Sequence, residues 1–193
     1  MKMSTKLKIT KLGKAEKALV GMKVPKQKNG NIGRITEQVL KNNGYPFNNY
    51  AGADIPSIET EVKSKGIESN SAYKIGSMTL DDILKYPYDD SPLKEKLQNM
   101  FIVEHSQTFM KITNAQVYNY SKESIQEILR YAYDSARDIF IQGKYNNYVR
   151  GQDSWGYFEH QNSNSWQFRI PVANMKKLIG MSKSTAEKHF DFS

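Results

Sequence analysis

The amino-acid sequence predicts a single α/β domain. Segments with apolar residues at helical spacing alternate with short runs rich in β-branched and aromatic residues. The chain is 193 residues long, enough to bury one sizeable core. No internal repeat and no linker composition interrupts it, so residues 1–10 read as a basic lead-in and 11–193 as the folded domain.

Each element follows from local pattern. Leu12, Ala15, Ala18, Leu19 and Met22 mark a helix over Lys11–Met22, ended by Val24-Pro25, with a loop over Lys26–Gly30. Ile32, Ile35, Val39 and Leu40 mark a second helix, stopped by Asn42-Asn43-Gly44 and Pro46. Asp54–Lys65 reads as extended, turning at Gly66, with Tyr73–Met78 as its partner strand. A helix from Ser91-Pro92 to about Met100 precedes strands at Phe101–Val103 and Phe109–Ile112. The longest helix is Ser121–Gln142, capped by Ser121 and stopped by Gly143. Its apolar face is Ile125, Ile128, Leu129, Ala132, Ala136, Ile139 and Phe140. Tyr145–Ser165 is polar and aromatic, Trp166–Ile170 is a short strand, and Pro171–Ile179 and Ser182–His189 are closing helices.

Composition narrows the function classes. Hydrophobic residues at 38% and charged residues at 25% describe an ordinary soluble domain. With no cysteine there is neither a disulfide framework nor a thiolate metal site, which fits a reducing compartment. No apolar run approaches membrane-spanning length and no signal peptide is present, so the expected setting is cytoplasmic. The net charge of +8 favours a polyanionic partner. Residues 1–28 hold nine Lys and one acid, Glu16, which accounts for all of it; the remaining residues balance at nineteen against nineteen. Such a basic arm serves either as a solubilising tail or as a sequence-independent phosphate contact.

The chemistry-bearing motif is Asp54 followed seven residues later by Glu61-Val62-Lys63, the only acid-x-Lys sequence in the chain. Mg²⁺ prefers hard oxygen ligands and keeps several waters, so two carboxylates beside a phosphate suffice to hold it. A neighbouring lysine positions the attacking water and offsets charge gathering on the phosphate. Mg²⁺-dependent nucleases carry such a set on a β-hairpin, and on a strand Glu61 and Lys63 share a face. The same pattern also describes an exposed edge strand of alternating charge. Glu59 falls on that face too, but only Glu61 has a lysine two residues on.

A wider resemblance bears on this choice. The order Leu12-Gly13, Leu19-Val20-Gly21, Lys28-Asn29-Gly30-Asn31-Ile32-Gly33-Arg34-Ile35-Thr36-Glu37, then Asp54…Glu61-Val62-Lys63 resembles the MutH family, which joins the mismatch-repair nicking endonuclease to GATC-cutting restriction endonucleases. Glu95-Lys96-Leu97 before Phe101-Ile102-Val103, Ile141–Lys144, and Gln167–Pro171 with Ala173, Asn174 and Lys176 extend the likeness from about residue 11 to 178. The resemblance implies the PD-(D/E)xK restriction-endonuclease-like fold: a mixed central β-sheet flanked by helices, with double-stranded DNA in a cleft. It implies that Asp54 and Glu61 ligate Mg²⁺ and that Lys63 is the catalytic lysine. Glu37 would reach the metal site through water, with Gly33 letting helix and strand approach closely. Lys96 would be the second active-site lysine, with Lys94 close beside it.

For DNA contact, Lys144–Trp155 is dense in Tyr, Asn, Arg and Gln, residue types that read base edges. Lys144, Tyr148, Arg150 and Gln152 are the candidates there, with Arg169 and Lys176 from the resemblance. A surface loop pinned by aromatic packing would have the same composition. Leu178–Phe190 reads as part of a helix-turn-helix, with Gly180 in the turn, Ser182 as cap and a Ser184-x-x-Glu187 capping box, or as a plain helix hairpin. This makes residues 172–190 a candidate DNA-binding appendage.

The expected activity is therefore that of a Mg²⁺-dependent type II restriction endonuclease, with GATC as the family's site. The alternatives are a partner-activated nicking endonuclease and a non-catalytic helix-turn-helix regulator. Double-strand cutting calls for a homodimer or sequential nicks. A restriction role implies a cognate methyltransferase in the same system, a functional rather than physical partner.

Overall fold

The computed structural model describes residues 5–24, 31–47, 53–151 and 155–183. The fold is mixed α/β, as predicted. Instead of one central sheet, the strands among the described residues form two sheets, of three and four strands. The chain, read from sequence as one domain, divides into two compact units: Met1–Ser69 with Gln98–Tyr118, and Asn70–Leu97 with Asn119–Ser193.

The first unit contains α1 (Thr5–Leu19), α2 (Asn31–Asn42), β1 (Thr60–Gly66), β3 (Asn99–Ser106) and β4 (Lys111–Asn119, whose last residue falls in the second unit). Helix α1 begins at Thr5, inside the expected lead-in, and ends at Leu19 rather than Met22. Its buried face is Leu12, Ala15 and Leu19, while Ala18 points to solvent. The helix stops early because Gly21, at φ +85°, turns the chain onto β4: its N–H donates to the Ile112 carbonyl (2.9 Å) and Ile112 donates to Met22 (3.0 Å). Helix α2 ends as expected, at Gly44 with φ +85°. Leu40 joins Leu12, Leu19, Ile55, Ile58, Phe101 and Ile112 in one core.

Strand β1 pairs in parallel with β3, with Glu61 opposite Met100 and Lys63 opposite Ile102. The expected pairing with Tyr73–Met78 is incorrect. Met100–Val103 is buried on both faces, the pattern of a strand in parallel pairing, whereas Tyr73–Thr79 alternates and joins the other sheet. Phe109 and Met110, expected in a strand, form the exposed turn before β4.

The second unit is built from β2 (Tyr73–Thr79), α3 (Leu80–Lys85), α4 (Pro92–Lys96), α5 (Glu123–Ile141), β5 (Tyr148–Arg150), β6 (Tyr157–Asn162), β7 (Ser165–Ile170) and α6 (Val172–Lys183). Its sheet runs β2-β7-β6-β5, and each of the three neighbouring pairs is antiparallel. One face packs on α5 through edge-to-face rings: Phe140 with Phe158 (5.4 Å) and Trp166 (4.8 Å), and Tyr133 with Phe158 (5.5 Å). Two glycines permit close approach. A Cβ on Gly151 would stand 2.8 Å from the Ala136 backbone nitrogen of α5, and one on Gly156 would meet the Phe168 ring at 2.5 Å.

Several expectations change here. Helix α4 stops at Lys96, because Asn99 and Met100 extend β3. Helix α5 starts at Glu123, with Lys122 as N-cap; the Ser121 hydroxyl donates to Asn119 Oδ1 (2.6 Å) and caps nothing. The polar stretch after α5 supplies two strands. Helix α6 runs unbroken through Gly180, and the Ser182 hydroxyl donates back to the Ile179 carbonyl (2.8 Å). The expected helix-turn-helix turn is therefore absent. Ser184–Phe190, its second helix, lies outside the described residues.

Gln126 sits buried on α5 and joins separate segments. Its amide donates to the carbonyls of Leu97 (2.9 Å) and Tyr120 (2.8 Å), and its Oε1 accepts from the Tyr88 hydroxyl (3.1 Å). Gln126→Leu is expected to cost at least about 2 kcal/mol in chemical denaturation, because it leaves buried polar groups unpaired. A loss below half of that would remove this network from the account of stability.

On the surface, Arg130 and then Lys94 hold Asp89, lowering its carboxyl to about 2. A carboxyl with a lower value folded than unfolded stabilises above its unfolded value, and that contribution is lost as pH falls through about 2. Arg130→Ala is expected to return the Asp89 titration towards the ordinary range, as read by carboxyl NMR. An unmoved titration would contradict the assigned cause.

Among the described residues, no helix is long and apolar enough to cross a membrane.

Candidate active site

Asp54 and Glu61 are brought together by a tight turn. Ile55 and Thr60 form an antiparallel pair, each N–H donating to the other's carbonyl (2.9 and 3.2 Å), across the 3-10 turn Pro56–Ile58. Proline at the first position suits that turn, since its fixed φ is already helical and it lacks an N–H to leave unpaired. Asp54 and Glu61 flank this pair, so the turn carries the chain back from Asp54 into β1. Asp54 Oδ2 accepts the Val62 N–H at 2.9 Å, which fixes the carboxylate against β1. Glu59, expected on the same strand face, is in the turn with a left-handed backbone (φ 48°) and does not share the face.

On β1, Lys63 Nζ lies 2.5 Å from Glu61 Oε1, the two-residue spacing having placed both on one face. Glu61 is 1% exposed, and its neighbours on that face, Met100 and Ile102, are fully buried. In such surroundings charge interactions are stronger than in water. Lys65 continues the row; burial lowers its ammonium from the usual lysine value, and Nζ is 3.3 Å from the Ser69 hydroxyl. Alternation along β1 would have identified Lys65 from sequence.

The other expected members are placed differently. Glu37 forms an ion pair with Lys41 one turn along α2 (2.5 Å), and among the described residues nothing comes close to where a Gly33 Cβ would sit. Lys96 belongs to the second unit. Its stem lies over Gly76, 3.1 Å from where a Cβ would stand, whereas Asp54, Glu61 and Lys63 belong to the first. Lys94 is engaged by Asp89 (2.7 Å).

Of the DNA-contact candidates, Tyr148, Arg150 and Arg169 share the face of the second sheet turned away from α5. Cross-strand pairing aligns Lys74, Arg169, Tyr157 and Arg150 in one row and Ser77, Gln167, Glu159 and Tyr148 in the next. Glu159 makes an ion pair with Arg169, and its hydrogen bond to the Tyr148 hydroxyl raises that phenol above its usual value. Lys144 is exposed beyond α5 and Lys176 is exposed on α6, neither being part of these rows. Gln152 lies outside the described residues. Lys74, Tyr157, Glu159 and Gln167 were not singled out from sequence. Period-two alternation marks their face, but pairing partners had to be known to align them.

Among the described residues, no group of three or more Asp, Glu or His side chains is arranged to hold a metal. The carboxylate chemistry of Asp54 and Glu61 still fits Mg²⁺, which needs few protein ligands when substrate phosphate and water complete its shell. No protein-family model matches the chain, and no curated protein matches it significantly.

Proposed function

We propose that the protein is a Mg²⁺-dependent DNA endonuclease of restriction type, acting through Asp54, Glu61 and Lys63. The observation that carries this reading is the turn closed by Ile55 and Thr60, with Asp54 bonded to the Val62 N–H, the residue between the paired Glu61 and Lys63. The ordered motifs resembling the MutH family, and the basic charge concentrated in residues 1–28, support DNA as the substrate.

Asp54 and Glu61 would hold the ion, Asp54 through the oxygen not engaged by Val62. Bound there, Mg²⁺ would supply Lewis-acid stabilisation of the phosphate charge and a more acidic water. Lys63 is paired with Glu61 and would offset negative charge that develops as water attacks phosphorus. The Val62 N–H holds Asp54 in place, so its carboxylate need not reorient during the reaction. Glu37 and Lys96 remain proposals of the resemblance alone.

The test is incubation with supercoiled plasmid, unmethylated or adenine-methylated at GATC, with Mg²⁺ or EDTA. Discrete Mg²⁺-dependent fragments establish restriction-type cutting, and their ends give the site. Open circles alone assign nicking. Intact plasmid under all conditions, with DNA bound, rejects the proposal as stated in favour of a binding protein or a nuclease silent without its partner.

A further inference from the structure

The face of the four-stranded sheet opposite α5 has a composition that ordinary solvation does not require. An antiparallel sheet commonly turns one face to water, and mixed short polar residues are enough for that. Here the two aligned rows hold three cations, two tyrosines, an amide, a serine and one acid. The acid is already engaged, since Glu159 takes both the Arg169 ion pair and the Tyr148 hydroxyl. Tyr148, across from Glu159 on β5, is 54% exposed. Beside it, Tyr157 lies 6.3 Å away between ring centroids, and the Arg150 guanidinium covers Tyr157 at 5.0 Å. Arg150 and Lys74 are exposed at opposite edges, three strand spacings apart, or about 14 Å. At the centre, the buried Arg169 Nε and Gln167 Oε1 have no hydrogen-bond partner among the described residues.

We propose that this face binds single-stranded nucleic acid, with Tyr148 stacking on a base and Lys74 and Arg150 contacting the backbone. The proposal rests on nucleic acid being the protein's ligand, as above, but not on cleavage. Charge selects the class: after Glu159 is matched with Arg169, two cations remain unopposed within the rows. Shape selects the strandedness. Reading a duplex requires an element that enters a groove, and the bases of a duplex are stacked on one another. A sheet whose edge strand bears a half-exposed ring meets unstacked bases by their faces, and cations along the edges follow the phosphates. In a DNA-cutting protein such a face would hold a displaced strand or an unpaired end.

The test is fluorescence anisotropy in EDTA, comparing a labelled oligothymidine about 20 nucleotides long with a duplex of equal length. The wild type is expected to bind oligothymidine more tightly than duplex at equal salt. Tyr148→Ala should weaken oligothymidine binding roughly tenfold or more, whereas Tyr148→Phe, which keeps the ring, should retain most of it. Lys74→Ala should lower the slope of log affinity against log salt by about 0.7. Tyr148 and Lys74 are exposed, and circular dichroism checks that the variants are folded. Duplex bound as tightly as oligothymidine, or wild-type binding by Tyr148→Ala, would overturn the proposal. Plasmid cleavage separates the two readings. A protein that cuts plasmid yet ignores oligothymidine keeps the nuclease and loses this face. One that binds oligothymidine through Tyr148 but never cuts keeps the face and loses the nuclease.

Discussion

Asp54→Asn is expected to lower Mg²⁺-dependent plasmid cleavage by about a thousandfold or more while leaving the fold intact. Single groups aimed at developing charge account for two to three orders of magnitude in rate, and loss of a metal ligand removes a larger charge. The amide substitution is chosen because it keeps an oxygen able to accept the Val62 N–H, the contact Asp54 makes at 2.9 Å. A structural Asp54 would tolerate it; a metal-holding Asp54 would not. Asp54→Ala removes both roles and should add a small loss of stability. Lys63→Ala is expected to abolish cleavage as well, and to destabilise the protein by leaving Glu61, 1% exposed, without its nearest cation. Either variant cutting at the wild-type rate would place the chemistry elsewhere.

The largest expected effect on stability is at Phe140. The side chain is 2% exposed and touches three rings: Tyr145 stacked at 5.1 Å, Phe158 at 5.4 Å and Trp166 at 4.8 Å. Phe140→Ala removes its transfer energy and leaves a cavity between α5 and the sheet, an expected loss of about 3–5 kcal/mol. For a chain of this size that corresponds to a Tm lower by roughly 10 °C. Phe140→Leu retains most of the volume and should cost less than half as much. A Tm within a few degrees of wild type for Phe140→Ala would mean that the aromatic cluster is not the cohesive part of the second unit.

Helices were legible where one face is apolar and the ends carry stop signals. Ile35, Val39 and Leu40 with Gly44, and the stripe from Ile125 to Phe140 with Gly143, gave α2 and α5 to within a residue or two. The Tyr145–Ser165 stretch concealed two strands. Val149 alone of the three residues in β5 is buried, and the outward residues of β6 are polar, so the apolar alternation that signals a strand is too short to see. Pairing partners were also hidden. Thr60 meets Asn99 and Tyr73 meets Ile170, contacts set by packing between distant segments rather than by local pattern. At the candidate site, the spacing of Asp54, Glu61 and Lys63 marked a short return of the chain, and Asp54 does reach the Val62 N–H. It did not show the left-handed turn at Glu59, which depends on backbone geometry inside that spacing. Gly33 misled because a glycine marks a close approach only when something occupies its missing Cβ, and among the described residues nothing comes close there.

Strand β1 ends its three-stranded sheet, with β3 as its only strand neighbour among the described residues. An outer strand is a template on which a second chain can add by backbone pairing, and charged side chains are a common deterrent. Here the outer edge is already engaged in part, Thr60 pairing with Ile55 and the Val62 N–H held by Asp54, so the turn that positions the Asp54 carboxylate also covers backbone that a second chain could pair with. Asp54→Ala would therefore release the Val62 N–H as well as remove the carboxylate. Loss of solubility on concentration in that variant would then be a property of the opened edge, not a sign of misfolding.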